Sequence, residues 1–576
     1  MVGIEIAKTV KESIKNLKKQ GKLGDFDVPE ILVEHPKNRG CGDYSVNIAM
    51  ILAKQIKKSP IQIADLLVAE MKLQKQKSFE RIEAVNPGFI NFFISPKLLN
   101  LELRKILKDK EKYGQSKIGK GKTIIIDYSS ANIAKPFSVS HLRSTIIGQA
   151  IYNLYTYLGY KTIGDNHIGD WGTQFGKLIC AIKKWGDEKE IAKNPIKNLV
   201  ALYVKFHEQA EKNPELEEEA RKWFRELERG NPEAKRLWKK CVRWSLSEFN
   251  KVYKALGIKI DLSLGESFYE PMLKGIIKEA LDKKIAEKSQ GAVIIRYPND
   301  SLSPFMIRKS DGATLYATRD LATIKYRIKQ FKPYKIIYEV GADQILHFKQ
   351  LFWAAELLGW GKRNDYVHIA HGMMRLETGK MRTRKGEIIL LEEILKEACL
   401  KARKIIDKKN PELKAKEKEK IAKIVGVGAV KYNGLRMRPA TNLIFKWENV
   451  LNLEGDSGPY LQYAYARAKS IIRKSEAKEI KLGKKEFKQA TEVQLLRQLV
   501  KFPEIVEKAA ESHKPNLICS YIFDLAQNFN SFYETTPVLK EKDNDLKAMR
   551  LALVQSFAQV IKNGLNVLGV DVLERM

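Results

Sequence analysis

Residues 123–164 read TIIIDYSSANIAKPFSVSHLRSTIIGQAIYNLYTYLGYKTIG, and this stretch decides the fold. Residues 123–128 are a short apolar run of the kind shown by a strand buried on both faces. A polar turn follows. A helix is then expected over 139–158, with Leu142, Ile146, Ala150, Leu154 and Leu158 at four-residue spacing and Gly159 just past its end. Residues 162–164 are the next strand. Strand, helix and strand in this order imply a parallel pair joined by a crossover helix.

Working outward, strands are expected at 292–297, 335–340 and 366–370, so the middle of the chain reads as a parallel, doubly wound α/β sheet. Residues 185–289 are helix-rich and highly charged, and read as an insertion between two halves of that sheet. Upstream, residues 1–112 read as a small α+β domain. It has helices at 4–17, 45–57 and 60–71, a Pro87-Gly88 turn and a strand in Phe89-Ile90-Asn91-Phe92-Phe93-Ile94. Beyond residue 400 the pattern is nearly all helical, with amphipathic stretches at 517–532 and 551–568, and reads as a helical bundle. The expected domains are 1–112, 113–450 and 451–576.

Composition bounds the function classes. The 576 residues are 44% hydrophobic and 30% charged, which excludes a disordered chain. Lys and Arg number 103 against 69 Asp and Glu, a net charge of +34. That excess attracts polyanions such as nucleic acid, although a lysine-solvated surface explains it equally well. The five cysteines lie far apart, with neither zinc-ligand spacing nor a disulfide framework, and each reads as a small apolar side chain. The charge run 414–423 reads as a solvated helix face. With no signal-peptide pattern and no run near 18 apolar residues, a cytoplasmic protein is expected.

Four features carry chemistry. The turn after the first strand leads into a helix whose free N–H groups, with Lys135 and His141, are placed to meet phosphates; the bland alternative is a plain turn capped by Ser138. Residues 373–387 crowd Lys380, Arg382, Arg384 and Lys385 between Gly379 and Gly386. Such a cationic loop suits a pyrophosphate leaving group, though taken alone it reads as an exposed basic turn. Tyr316 and Asp320 are four apart on one helix face, and Gln344 follows the next strand. A hydroxyl and a carboxylate so arranged can read a guanidinium or an ammonium, or form a surface hydrogen bond. Asn166-His167-Ile168-Gly169-Asp170-Trp171-Gly172-Thr173-Gln174-Phe175-Gly176 mixes glycines with polar donors directly after a strand, as pocket-lining loops do. Gly114 to Lys120 resembles the start of a P-loop, but Gly121 stands where Ser or Thr is needed and the strand follows the glycines.

Together and in this order, these features resemble arginyl-tRNA synthetases of class I. SSANIAKPFSVSHLRSTIIG (129–148) resembles the adenosine-binding HIGH signature with its flanks, and GKMRTRKG (379–386) the KMSK loop. NHIGDWGTQFG, LYATRD (315–320) and the HFKQLF after Gln344 are similar to segments of the arginine enzymes. EGDSGPYLQYAYARAKSI (454–471) and the chain's last residues resemble the anticodon-binding domain, and VEHPKNRGCGDYSVNIAMILAK (33–54) the N-terminal additional domain.

The resemblance implies a Rossmann-like core that ligates L-arginine to its tRNA through an arginyl-adenylate, with ATP entering as its Mg2+ complex. It implies no structural metal and a monomer. Lys135, His141, Lys380, Arg382 and Arg384 would serve catalysis. Pro136, Phe137, Ser138, Ser140, His141, Gly372, Met373 and Lys380 would hold ATP. Asp127, Ser129, Asn132, His167, Tyr316, Asp320 and Gln344 would hold arginine. Phe89, Asn91, Tyr460, Tyr463, Arg467 and Met576 would meet tRNA. Ser138 stands where the signature has its first His, Ser140 where it has Gly, Asp127 where Glu is usual and Thr383 where KMSK has its second lysine. Ser138 and Ser140 support an alternative, a catalytically inactive paralogue that binds tRNA.

Overall fold

Strands Thr123–Asp127, Lys161–Asp165, Lys335–Gly341 and Tyr366–His371 form one sheet in which every neighbour is parallel. Its spatial order runs Tyr366, Lys335, Thr123, Lys161. The chain steps one way from the Thr123 strand and the other way from the Lys335 strand. The order therefore reverses between these two, and the crevice at their carboxyl ends is where such sheets bind ligands. The computed structural model describes residues 2–36, 38–74, 77–376, 390–477, 480, 482–483 and 485–576.

The expected crossover helix is Ser140–Tyr157, and it is buried almost all round, from Leu142 through Tyr155 with only Asn153 partly open. Such a helix needs apolar neighbours on every side. One side lies on the sheet, and the others meet helices Ala415–Leu435, Phe502–Glu511 and Asn544–Val567. The helix that starts at the crevice thus also packs against two helices of the C-terminal bundle, Phe502–Glu511 and Asn544–Val567.

That bundle comprises Gly458–Lys474, Ala490–Val500, Phe502–Glu511, Asn516–Thr535 and Asn544–Val567. Helices Leu391–Lys409 and Ala415–Leu435 connect it to the core. The insertion consists of helices from Glu188–Lys193 to Leu273–Asp282. No helix among the described residues is long and apolar enough to cross a membrane. Cys180, Cys241 and Cys519 are buried, whereas Cys41 and Cys399 are only partly so.

Two expected elements fall differently. Residues 292–295 do not join the parallel sheet. They form a separate antiparallel sheet with Ala286–Ser289 and Phe305–Arg308. The cause is the Gln290-Gly291 turn, whose residues have φ of +49° and +81°, the left-handed pair that a tight hairpin requires. In the N-terminal domain, residues 44–46 are a strand rather than the start of a helix, because Tyr44 and Val46 pair with Phe92 and Ile90. The strand Phe89–Ile94 forms as expected and lies inside a four-stranded sheet.

Candidate active site and RNA-facing surfaces

The loop leaving the Thr123 strand is held in strained backbone: φ is +74° at Ser129, +45° at Ser130 and +58° at Ala134. Non-glycine residues keep such angles only where neighbours over-determine them. Here the Ser129 amide donates to Ser144 Oγ (3.0 Å), Ser130 to Asn166 Oδ1 (3.0 Å), Ile133 to the Gly169 carbonyl (3.1 Å) and Ala134 to Ser245 Oγ of the insertion (3.0 Å). Asn132 and Lys135 are left exposed at the loop's crest. Ser129 is not. Its hydroxyl is buried beside Tyr253 Oη (2.8 Å) and Thr145 Oγ1 (2.9 Å), so it supports the loop and does not face a ligand.

At the helix start, the Ser138 amide donates to His141 Nδ1 (3.1 Å). An accepting Nδ1 places the imidazole proton on Nε2. Burial, reinforced by the nearby Lys135 charge, holds the His141 pKa below its usual value. His141 is therefore a neutral Nε2–H donor. The Ser138 hydroxyl lies 2.6 Å from Ser140 Oγ and 3.3 Å from His141 Nδ1. It is occupied within the loop, with Phe137 packed below against Phe249, Tyr253 and the His141 ring.

Across the crevice, the Arg143 guanidinium ties the carbonyls of Gly372 (2.9 Å), Thr441 and Arg438 (3.2 Å). Gly372 is required there, since a Cβ would sit 2.6 Å from the Thr441 carbonyl carbon. Met373 beside it is exposed. Lys380, Arg382 and Arg384 lie outside the described residues, but both ends of their loop are anchored. Met374–Leu376 pairs with Leu443–Phe445, Leu390 bridges to Ser138, and the Leu391 amide donates to the Phe137 carbonyl. Among the described residues, the chain before the basic loop thus pairs with Leu443–Phe445, and the chain after it begins against the Phe137–Ser138 turn.

On helix Tyr316–Phe331, Asp320 Oδ2 accepts from His347 Nε2 at 2.6 Å, and the Tyr316 ring lies 4.9 Å from that imidazole. His167 donates from Nδ1 to the Leu264 carbonyl (3.2 Å) and sets Nε2 4.0 Å from Asp320 Oδ1. Gln344 is exposed at the start of the next helix. Asp127 differs from expectation. Its Oδ2 accepts from Arg327 Nη2 (2.6 Å) and its Oδ1 from the Ser130 hydroxyl (2.9 Å), so this carboxylate already holds a guanidinium of the protein itself.

Sequence reasoning missed Glu266. The segment carrying it is clamped to the His167 loop. The Glu266 amide donates to the Ile168 carbonyl (3.1 Å), and Ser267 gives its amide (2.9 Å) and hydroxyl (2.6 Å) to Asp170. Among the described residues the Glu266 carboxylate has no hydrogen-bond or ion-pair partner. Burial raises its pKa, opposed by Arg319 and His167 and reinforced by Asp320 and Asp170. A partly buried carboxylate beside Asp320 with no hydrogen-bond or ion-pair partner among the described residues marks a candidate functional site. Its only sequence signal is Gly265-Glu266-Ser267, which is lost among the insertion's many acids.

The two groups that the resemblance assigns to tRNA sit in different domains of the chain. Phe89 and Asn91 line a cleft of about 1100 Å³ between the N-terminal sheet and helix Phe502–Glu511. Asn91 is only 2% exposed and accepts from the Ser45 hydroxyl, so Phe89 is the more available of the two. In the C-terminal bundle, the Arg467 guanidinium lies over the Tyr463 ring (4.9 Å) and near the Tyr533 ring (5.5 Å), and donates to Asn530 Oδ1 (2.9 Å). Asn530 in turn donates to Tyr460 Oη (2.8 Å). Lys409 Nζ lies 5.5 Å from the Tyr463 ring centroid, and Met576 packs against the cluster that contains Ile406 and Leu573. Exposed Tyr533 belongs to this cluster and was not singled out from sequence.

Comparison with known proteins agrees with this geometry. Residues 102–447 match the catalytic domain of class I tRNA synthetases (R), residues 461–576 the DALR anticodon binding domain, and residues 5–94 the arginyl tRNA synthetase N terminal domain. An arginine--tRNA ligase of Clostridium botulinum (strain Alaska E43 / Type E3) is 42% identical over 567 residues, covering 98% of this chain and 100% of that protein. Another from Halothermothrix orenii is 42% identical, with 98% and 99% covered. The solved structure of Thermus thermophilus arginyl-tRNA synthetase superposes with a TM-score of 0.85 at 25% identity, covering 100% of both chains. That of Plasmodium falciparum gives 0.84 at 25% identity, covering 100% of this chain and 99% of the other. A strand-end crevice with these loops, matched over the whole chain in sequence and shape, leaves one conclusion: the chain belongs to the arginyl-tRNA synthetase family of class I.

Proposed function

We propose that the crevice joins L-arginine to its tRNA in two steps. The arginine carboxylate first attacks the α-phosphate of Mg2+-bound ATP, forming arginyl-adenylate and releasing pyrophosphate. The terminal ribose hydroxyl of the tRNA then attacks the adenylate carbonyl and displaces AMP. Neither step needs a protein nucleophile. The protein contributes positioning and donors aimed at growing negative charge.

One observation carries the specificity. The Asp320 carboxylate, fixed by His347 and bordered by Tyr316, lies within electrostatic reach of the unpaired Glu266. Two carboxylates and a phenol suit a guanidinium, which offers five donors in a plane. In this reading Glu266 takes the direct role expected of Asp127, and Asn132 and Gln344 meet the amino-acid end. His141 Nε2–H and Lys135 face the ATP phosphates. Gly372 and Met373 sit at the adenosine, and Lys380, Arg382 and Arg384 close on the pyrophosphate. Phe89 meets one part of the tRNA, and Tyr460, Tyr463, Arg467, Tyr533 and Met576 meet its anticodon. The inactive alternative draws no support from the family matches.

The test is ATP-dependent charging of tRNA with labelled amino acid, together with pyrophosphate exchange with and without tRNA. Arginine should be charged and lysine and glutamine should not. Charging of either competitor in place of arginine would sink the reading.

A further inference from the structure

A second guanidinium site lies beneath the proposed arginine pocket, and the protein fills it with its own side chain. Arg327 is completely buried on helix Tyr316–Phe331, seven residues beyond Asp320 and eleven beyond Tyr316, on the same face. Its Nη2 donates to Asp127 Oδ2 (2.6 Å) and Asp165 Oδ2 (2.8 Å), and its Nε to Asp165 Oδ2 (3.1 Å). Asp127 and Asp165 are register partners, each the last residue of its parallel strand. The Tyr338 ring of the third strand lies 5.3 Å from the guanidinium.

Three walls of the proposed arginine pocket depart from this point. Asp127 holds the Ser130 hydroxyl and with it the loop that carries Asn132. Asp165 leads through Asn166, whose Oδ1 fixes the Ser130 amide, into His167. The helix that bears Arg327 presents Tyr316 and Asp320. The ATP side hangs on other ties, namely Arg143 with Gly372 and the Leu390 bridge to Ser138.

We propose that Arg327 is a positioning residue for arginine recognition: it occupies the strand-end carboxylates with a resident guanidinium, locks three walls of the pocket together, and leaves Asp320 and Glu266 as the acids open to substrate. The proposal rests on the reading that arginine is activated here. Without Arg327, two adjacent buried carboxylates would both repel each other and compete for the substrate's guanidinium.

The test uses the full chain in tRNA charging. Arg327→Lys keeps the charge but not the fork, and Asp165→Asn keeps the shape but removes the negative charge that receives two of the three bonds. Each should raise the arginine KM by about tenfold or more and change the ATP KM by less than about twofold. Arg327→Ala should lose about a hundredfold in rate and regain part of it on addition of low-millimolar methylguanidinium, which should inhibit or leave unchanged the parent enzyme. If Arg327→Lys does not fold, Asp165→Asn and the methylguanidinium arm decide. Equal changes in both KM values, unchanged values in a folded variant, or no methylguanidinium rescue would overturn the proposal. Failure of the parent chain to charge arginine would instead strike the reading beneath it.

Discussion

At the scale of single residues, the site rests on which atoms are free and which are already bonded. Ser138 stands where the signature's first histidine would be, yet its shorter contact with His141 Nδ1 is its backbone amide (3.1 Å), and its hydroxyl lies nearer Ser140 Oγ (2.6 Å) than that nitrogen (3.3 Å). Ser138→Ala should therefore keep tRNA charging within about threefold, while His141→Ala should lose on the order of a hundredfold, as removal of a donor to developing charge does. Equal losses would return the hydroxyl to the phosphate site. Because burial lowers the His141 pKa, its charging rate should not respond as pH falls from 8 to its ordinary value near 6.5 and should drop only below that. Glu266→Gln keeps the shape and removes the charge. An ionic hydrogen bond is worth roughly 1.5–3 kcal/mol, so the arginine KM should rise about ten- to a hundredfold with the ATP KM unmoved. An unchanged arginine KM would exclude Glu266 from the pocket.

At the scale of elements, helix Ser140–Tyr157 couples the crevice to the bundle. Its Tyr155 hydroxyl meets His513 Nε2 at 3.0 Å, at the end of helix Phe502–Glu511. Burial pushes the His513 pKa down to about 4. Above pH 6.5 the ring is neutral folded or unfolded. Between 6.5 and about 4 the unfolded chain takes a proton that the folded chain refuses, so stability falls through that window by roughly 2–3 kcal/mol. Urea midpoints measured from pH 7.5 to 4.5 should fall less in His513→Gln than in the parent chain; parallel curves would show that His513 does not titrate this interface. This helix was legible in the sequence because its four-residue apolar spacing and Gly159 are local signals. The bundle and the parallel strands were legible for the same reason. The antiparallel hairpin was not, because Ala286–Ser289 is short and polar and only its φ-positive turn announces it. In the site, Tyr316 and Asp320 were visible as a helical pair, whereas Glu266 and the Arg327 clasp depend on contacts between residues far apart in the chain, which no local pattern records.

At the scale of the molecule, the insertion, the connecting helices and the C-terminal bundle meet at one buried cation. Lys431, only 3% exposed on helix Ala415–Leu435, donates Nζ to the carbonyls of Leu256, the last residue of the insertion's long helix, and Gly569, just past the final helix. A donor at two helix ends satisfies carbonyls that have no partner within their own helices. Lys431→Met keeps the stem and removes the donor, so it should destabilise by about 1–3 kcal/mol, the cost of leaving buried acceptors unmet. The size of that loss should depend on pH. Burial lowers the Lys431 pKa to about 8. From pH 8 toward 10.5 the unfolded chain keeps a proton that the folded chain has lost, so the parent gains stability as pH rises, roughly 2 kcal/mol by pH 9.5. The neutral amine still has hydrogens for both carbonyls. Methionine has no proton to lose, so the gap between parent and Lys431→Met unfolding free energies should widen from pH 7.5 to 9.5. A gap that stays constant or narrows would mean that the lysine is charged in the folded chain, and that the junction is held by its charge rather than by its hydrogen bonds.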